Sequence, residues 1–173
     1  MKNKLGKIHI YTGKGKGKTT AALGLAARAR GAGLKVIILQ FLKKGDYSEL
    51  KSLKKLGIRV EQLGERSFCY PQKIKQKEKK KAKKGVMLAS DVIFSKKYDL
   101  VILDEINIAL KFCLINEQAL IELLKLKPQQ VEVVLTGRGA SKKLLNLADY
   151  VTEMKEIKHP FKNGTKARKG IEG

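Results

Sequence analysis

A chain of 173 residues with 43% hydrophobic content is long enough to fill a core unaided, and Cys69 and Cys113 are too few and too far apart for a zinc site or a disulfide framework. No apolar run suits a signal peptide or a membrane span, so a soluble protein of the reducing cytoplasm is expected. The net charge of +22 favours anionic ligands, but much of it sits in Lys73–Lys84 with almost no aromatic interleaving for base stacking, so a solvated helix face is expected there.

In chain order, Lys7–Tyr11 alternates apolar and polar residues as a strand does, and a glycine-rich run follows at once. From Lys18 the spacing of Ala22, Leu25, Ala26 and Ala29 is helical, with Gly31 and Gly33 as the stop. Val36–Phe41 is a continuous apolar run, expected of a strand covered on both faces and hence of a parallel sheet. Asp46–Leu56 reads as a short helix and Ile58–Leu63 as a third strand closed by Gly64. A loop with Phe68, Tyr70 and Pro71 precedes a lysine-rich helical segment at about 72–95, whose apolar stripe is Ile74, Ala82, Val86, Ala89 and Ile93. Leu100–Leu103 and Val131–Leu135 are the fourth and fifth strands, ending in Asp104-Glu105 and Thr136-Gly137-Arg138. Strands separated by helical stretches predict an α/β fold, a single domain over 1–173 with one doubly wound, mainly parallel sheet of the P-loop NTPase type. Such sheets bind ligands at the carboxyl ends of their strands.

The run from Thr12 through Gly13, Lys14, Gly15, Lys16, Gly17, Lys18 and Thr19 to Thr20 has the strand-before, helix-after context of a phosphate-binding loop. Its glycines let backbone N–H groups turn inward, the helix N-terminus adds a positive end, Lys18 offers an ammonium, and Thr19 a hydroxyl for a metal. The expected ligand is ATP with Mg2+ or Mn2+. Gly13 and Gly17 enclose three residues where the usual motif has four, and Thr12 stands at the usual first glycine, so transfer of a γ-phosphate does not follow from the motif. Asp104 and Glu105 follow a buried strand, where carboxylates hold magnesium directly or through water; an acidic pair also suits a helix start. Arg138 is placed either to bind phosphate or other anionic groups of a ligand, or to remain a surface cation. His159 reads as structural or solvated, and neither cysteine has an activating companion.

The ordered set Tyr11–Gly24, Gln40–Phe41, Leu103–Asn107, Leu135–Arg138, Ala148–Asp149, Val151–Met154, Lys158–Phe161 and Gly170–Glu172 resembles the P-loop type of ATP:corrinoid adenosyltransferase, nearly end to end. The resemblance implies attack of a corrinoid cobalt(I) on the 5′ carbon of ATP with expulsion of triphosphate, the nucleotide lying reversed in its loop compared with kinases. It also implies that Lys18 and Glu105 carry the catalysis, with magnesium on Thr19 and Glu105. Phe68 and Tyr70 fall at the family's corrinoid-facing aromatic pair, whose second member is usually tryptophan. Arg168 replaces a usual glutamine and Gly173 a common aromatic. A flavin-type reductant and a homodimer are implied as partners; neither nucleic acid nor membrane is expected. The rival reading, a nucleic-acid-stimulated P-loop ATPase, draws on the +22 charge and the lysine run.

Overall fold

The computed structural model describes residues 5–65, 76–160 and 164–171. Six strands form one parallel sheet in the order β3-β2-β4-β5-β1-β6: β1 (Ile8–Thr12), β2 (Val36–Phe41), β3 (Arg59–Leu63), β4 (Leu100–Asp104), β5 (Glu132–Thr136) and β6 (Tyr150–Glu153). The helices are α1 (Lys18–Gly31), α2 (Ser48–Lys55), α3 (Gln76–Phe94), α4 (Ile106–Lys111), α5 (Glu117–Leu126) and α6 (Lys142–Leu147). The doubly wound α/β expectation therefore holds, with every strand pair parallel.

Burial explains the apolar strands. All six residues of β2 and all five of β4 are buried because alternate side chains serve two cores. Val36, Ile38, Leu100, Ile102 and Val134 face α1 and α2, where they meet Ala22, Ala26, Ala29 and Leu53. Ile37, Leu39, Phe41, Val101, Leu103, Val133 and Leu135 face the other way, onto α3, α4 and α5. Burying one such side chain contributes about 1.5–3 kcal/mol before entropy is counted. The three buried alanines of α1 are small enough to bring that helix close to the sheet.

The α3 stripe is buried at Ala82, Ala89 and Ile93, with Val86 packed beside them, while Lys77, Lys79, Lys80, Lys83 and Lys84 are exposed. Ile74 lies outside the described residues. Gly85 sits against the sheet so closely that a Cβ there would lie 2.8 Å from the Phe41 ring. The edge strand β6 goes beyond the five strands that the sequence predicts: Tyr150-Val-Thr-Glu153 has no apolar alternation, and all four residues are exposed.

Strand order positions the site. Because β5 and β4 lie between β1 and β2, the connecting helix α1 crosses over both, and its first turn arrives above the carboxyl end of β4.

Candidate functional site

The chain leaves β1 at Thr12, turns through Gly13 (φ 97°) and Gly17 (φ 113°), and enters α1 at Lys18. Left-handed backbone accounts for two of these glycines. Close approach accounts for Gly15: a Cβ there would lie 2.7 Å from the carbonyl oxygens of Met154 and Lys155. The segment after β6 lies on the loop and pairs with it. The Gly15 N–H donates to the Met154 carbonyl at 2.7 Å, and the Met154 N–H donates to the Thr12 carbonyl at 2.9 Å. Thr12 is buried, whereas Lys14, Lys16 and Thr20 are exposed.

Lys18 is buried, and its Nζ donates to the Gly15 carbonyl at 2.6 Å, so the lysine closes back over the loop. Burial pushes its ammonium below the ordinary lysine pKa and the Arg138 charge adds to this, with Glu105 opposing. Arg138 itself is exposed beyond the end of β5.

Asp104, the last residue of β4, is fully buried and collects three donors. Its Oδ1 accepts from the hydroxyls of Thr19 at 2.9 Å and Thr136 at 2.7 Å; its Oδ2 accepts from Lys43 Nζ at 2.8 Å. Lys43 Nζ also donates to Thr19 Oγ1 at 3.3 Å. Burial lowers the Lys43 pKa, but the attraction and hydrogen bond of Asp104 outweigh it, and the ammonium is held above its ordinary value. Glu105 follows in left-handed backbone (φ 61°), its N–H donating to Thr136 Oγ1 at 2.9 Å. Its carboxyl is raised above the ordinary glutamate pKa by burial first and by the neighbouring Asp104 second, against Lys43, Lys18 and Arg138. Gly137 (φ 126°) leaves room for this turn: a Cβ there would lie 3.3 Å from Glu105 Oε2.

The fold thus gathers Lys18, Thr19, Glu105 and the loop at the carboxyl ends of β1, β4 and β5. Sequence reading assigned the metal to Thr19 and Glu105; the structure sets Asp104 against the Thr19 hydroxyl, with Glu105 alongside. It also brings in Lys43 and Met154, which sequence reading left without a role. Lys43 had a weaker signal, being the first polar residue beyond the buried strand, one residue after Leu42, whereas Asp104 follows its apolar run at once. Met154 stands in the Val151–Met154 stretch of the family resemblance, but no side-chain chemistry marks it, since its backbone makes the contacts.

Beside this cluster the polar row continues across the strand ends. Gln62 Nε2 donates to Gln40 Oε1 at 3.2 Å, and the Gly45 N–H donates to Gln62 Oε1 at 3.1 Å. Lys44, Gly45, Asp46 and Gln62 line a cavity of about 530 Å³ there. Phe68 and Tyr70 lie outside the described residues, as does Gly173. Among the described residues no helix is long and apolar enough to cross a membrane.

A family model described as ATP:corrinoid adenosyltransferase BtuR/CobO/CobP matches residues 4–173. An uncharacterised protein of Nostoc sp. is 38% identical over 170 residues, which are 90% of this chain and 45% of that protein, so the chain spans less than half of that relative. A corrinoid adenosyltransferase of Sinorhizobium sp. is 38% identical over 172 residues, 96% of this chain and 80% of that protein. A corrinoid adenosyltransferase of Pseudomonas aeruginosa is 34% identical over 175 residues, 99% of this chain and 85% of that protein. With the match running over nearly all of its length and the phosphate-loop architecture in place, the chain belongs to the ATP:corrinoid adenosyltransferase family.

Proposed function

We propose that this chain transfers the 5′-deoxyadenosyl group of ATP to the cobalt(I) of a corrinoid and releases triphosphate. The observation that carries the reading at residue level is the Thr19–Asp104 contact at the mouth of the loop, which joins a helix N-terminus, a buried carboxylate and two lysines in one place. Cobalt is the nucleophile, so the protein needs no nucleophile of its own. Its tasks are to hold the 5′ carbon in line with cobalt and to neutralise the leaving triphosphate. The loop backbone from Gly13 to Gly17, the α1 N-terminus and Lys18 face that leaving group, with Arg138 at the rim.

Thr19 and Asp104 offer hard oxygen donors 2.9 Å apart, a pair that already holds a cation in the Lys43 ammonium. That donor chemistry fits Mg2+ or Mn2+ completed by phosphate oxygens. Bound there, the ion would supply charge neutralisation to the triphosphate. Thr19 and Asp104 would hold it, with Glu105 reaching it directly or through water.

On the same reading Phe68 and Tyr70 face the corrinoid, a flavin-type reductant delivers cobalt(I), and the active form is a homodimer in the cytoplasm. The test is ATP, magnesium and chemically reduced cobalamin, read by the light-sensitive spectrum of adenosylcobalamin together with triphosphate release. Release of ADP stimulated by DNA or RNA, with no such spectrum, would instead identify a nucleic-acid-dependent ATPase.

A further inference from the structure

The metal-facing atoms of Thr19 and Asp104 are already engaged by an internal cation. Thr19 gives its hydroxyl proton to Asp104 Oδ1 at 2.9 Å, which leaves oxygen lone pairs for any further partner. Lys43 Nζ donates into one of these at 3.3 Å and to Asp104 Oδ2 at 2.8 Å. Oxygen lone pairs are what a hard divalent ion takes. An ammonium and a dication cannot share these atoms at contact distance without strong repulsion.

The lysine is held there by the backbone. Leu42 adopts φ 58°, a conformation that a branched side chain resists, and this turns the chain at the end of β2. Gly64, at the end of β3, locks the turn: its N–H donates to the Lys43 carbonyl at 3.1 Å. A Cβ at position 64 would lie 2.3 Å from both the Leu42 carbonyl carbon and the Lys43 nitrogen. With its side chain 20% exposed against a fully buried Asp104, Lys43 keeps an outlet toward solvent.

We propose that Lys43 is a positioning residue that competes with the divalent ion for the Thr19–Asp104 pair, so that metal enters only with a nucleotide whose phosphates take over the displaced ammonium. This rests on the reading that Thr19 and Asp104 carry the metal. The site then disfavours free metal and admits the metal–nucleotide complex.

The experiment is titration of Mn2+ by electron paramagnetic resonance, with and without ATP, on the wild type, Lys43→Met and Thr19→Ala, with melting curves alongside. Lys43→Met is expected to bind Mn2+ alone roughly tenfold tighter, since a charge-assisted competitor is gone, and to bind ATP roughly tenfold more weakly. A lysine with only a packing role would not tighten metal binding. Free-Mn2+ affinity in Lys43→Met equal to or below that of the wild type overturns the inference alone, provided that Thr19→Ala weakens Mn2+ binding in the presence of ATP. If Thr19→Ala leaves that binding unchanged, the metal assignment fails and the inference with it. Lys43→Gln repeats the measurement should the methionine variant not fold, and wild-type Mn2+ affinity that is the same with and without ATP also overturns the proposal.

Discussion

Single residues in this site answer to two environments at once. Lys18 is buried and desolvated, yet donates to the loop, and on the proposed reading it meets the leaving triphosphate. Lys18→Ala should therefore lose roughly 30- to 1,000-fold in transfer, the kinetic equivalent of ~2–4 kcal/mol of leaving-group stabilisation, with little change in melting. Near-normal turnover, measured beside a melting curve, would take Lys18 out of the mechanism. Glu105 gives a prediction with a definite sign in pH. Its folded carboxyl is raised by burial and by Asp104, so it contributes stability below the ordinary glutamate pKa and loses it as pH rises through the folded value. Without metal or nucleotide, Glu105→Gln should melt like the wild type near pH 4 and above it near pH 8. The same variant should need roughly tenfold more magnesium for activity. A mutant that melts lower at pH 8 would mean the carboxylate makes a net favourable bond there. Of these residues, Lys18 and Thr19 were legible from the loop spacing alone. The Asp104–Thr19 pairing was not, because 85 residues separate its members and only the crossing of α1 over β4 brings them together.

At the scale of elements, the loop and the segment after β6 form one unit, since Gly15 and Met154 share a hydrogen bond and leave no room for a Cβ between them. Gly15→Ala should force that segment off the loop, at about 1–3 kcal/mol of stability with a larger loss of ATP affinity. Gly24, on the exposed side of α1, has open space around its Cβ position, so Gly24→Ala should stabilise by about 0.5–1 kcal/mol. Paired melting curves with and without ATP check both. Equal behaviour of the two variants would show that the contact with the Met154–Lys155 backbone does not constrain the loop. The glycine pattern was visible in the sequence, but its reason differs from position to position: φ at Gly17, the neighbouring backbone at Gly15, and both at Gly13.

For the whole molecule the +22 charge is mostly a surface property, and the lysine run turns its charges outward from α3 while Ala82, Ala89 and Ile93 are buried. Among the described lysines of the run, Lys81 is drawn inward, to the Gly64 carbonyl at 2.9 Å and to Glu65 at 2.5 Å. Replacing Lys79, Lys80, Lys83 and Lys84 by glutamine should shift stability by no more than about 0.5 kcal/mol per residue and leave adenosyl transfer insensitive to added DNA. Melting across a salt series with parallel turnover assays would check this, and a DNA-dependent rate in the wild type would count against it. The sequence by itself determined the alternation of apolar runs with helical stretches, hence the parallel α/β sheet, and it marked the loop from Thr12 to Thr20, because hydrophobic periodicity and glycine spacing are local properties of the chain. Only the tertiary structure decided strand order, the sixth strand, and the meeting of Thr19, Lys43, Asp104 and Thr136. The physical reason is that β6 is an exposed edge held by backbone pairing, and that these four side chains become neighbours only after β4 and β5 insert between β1 and β2.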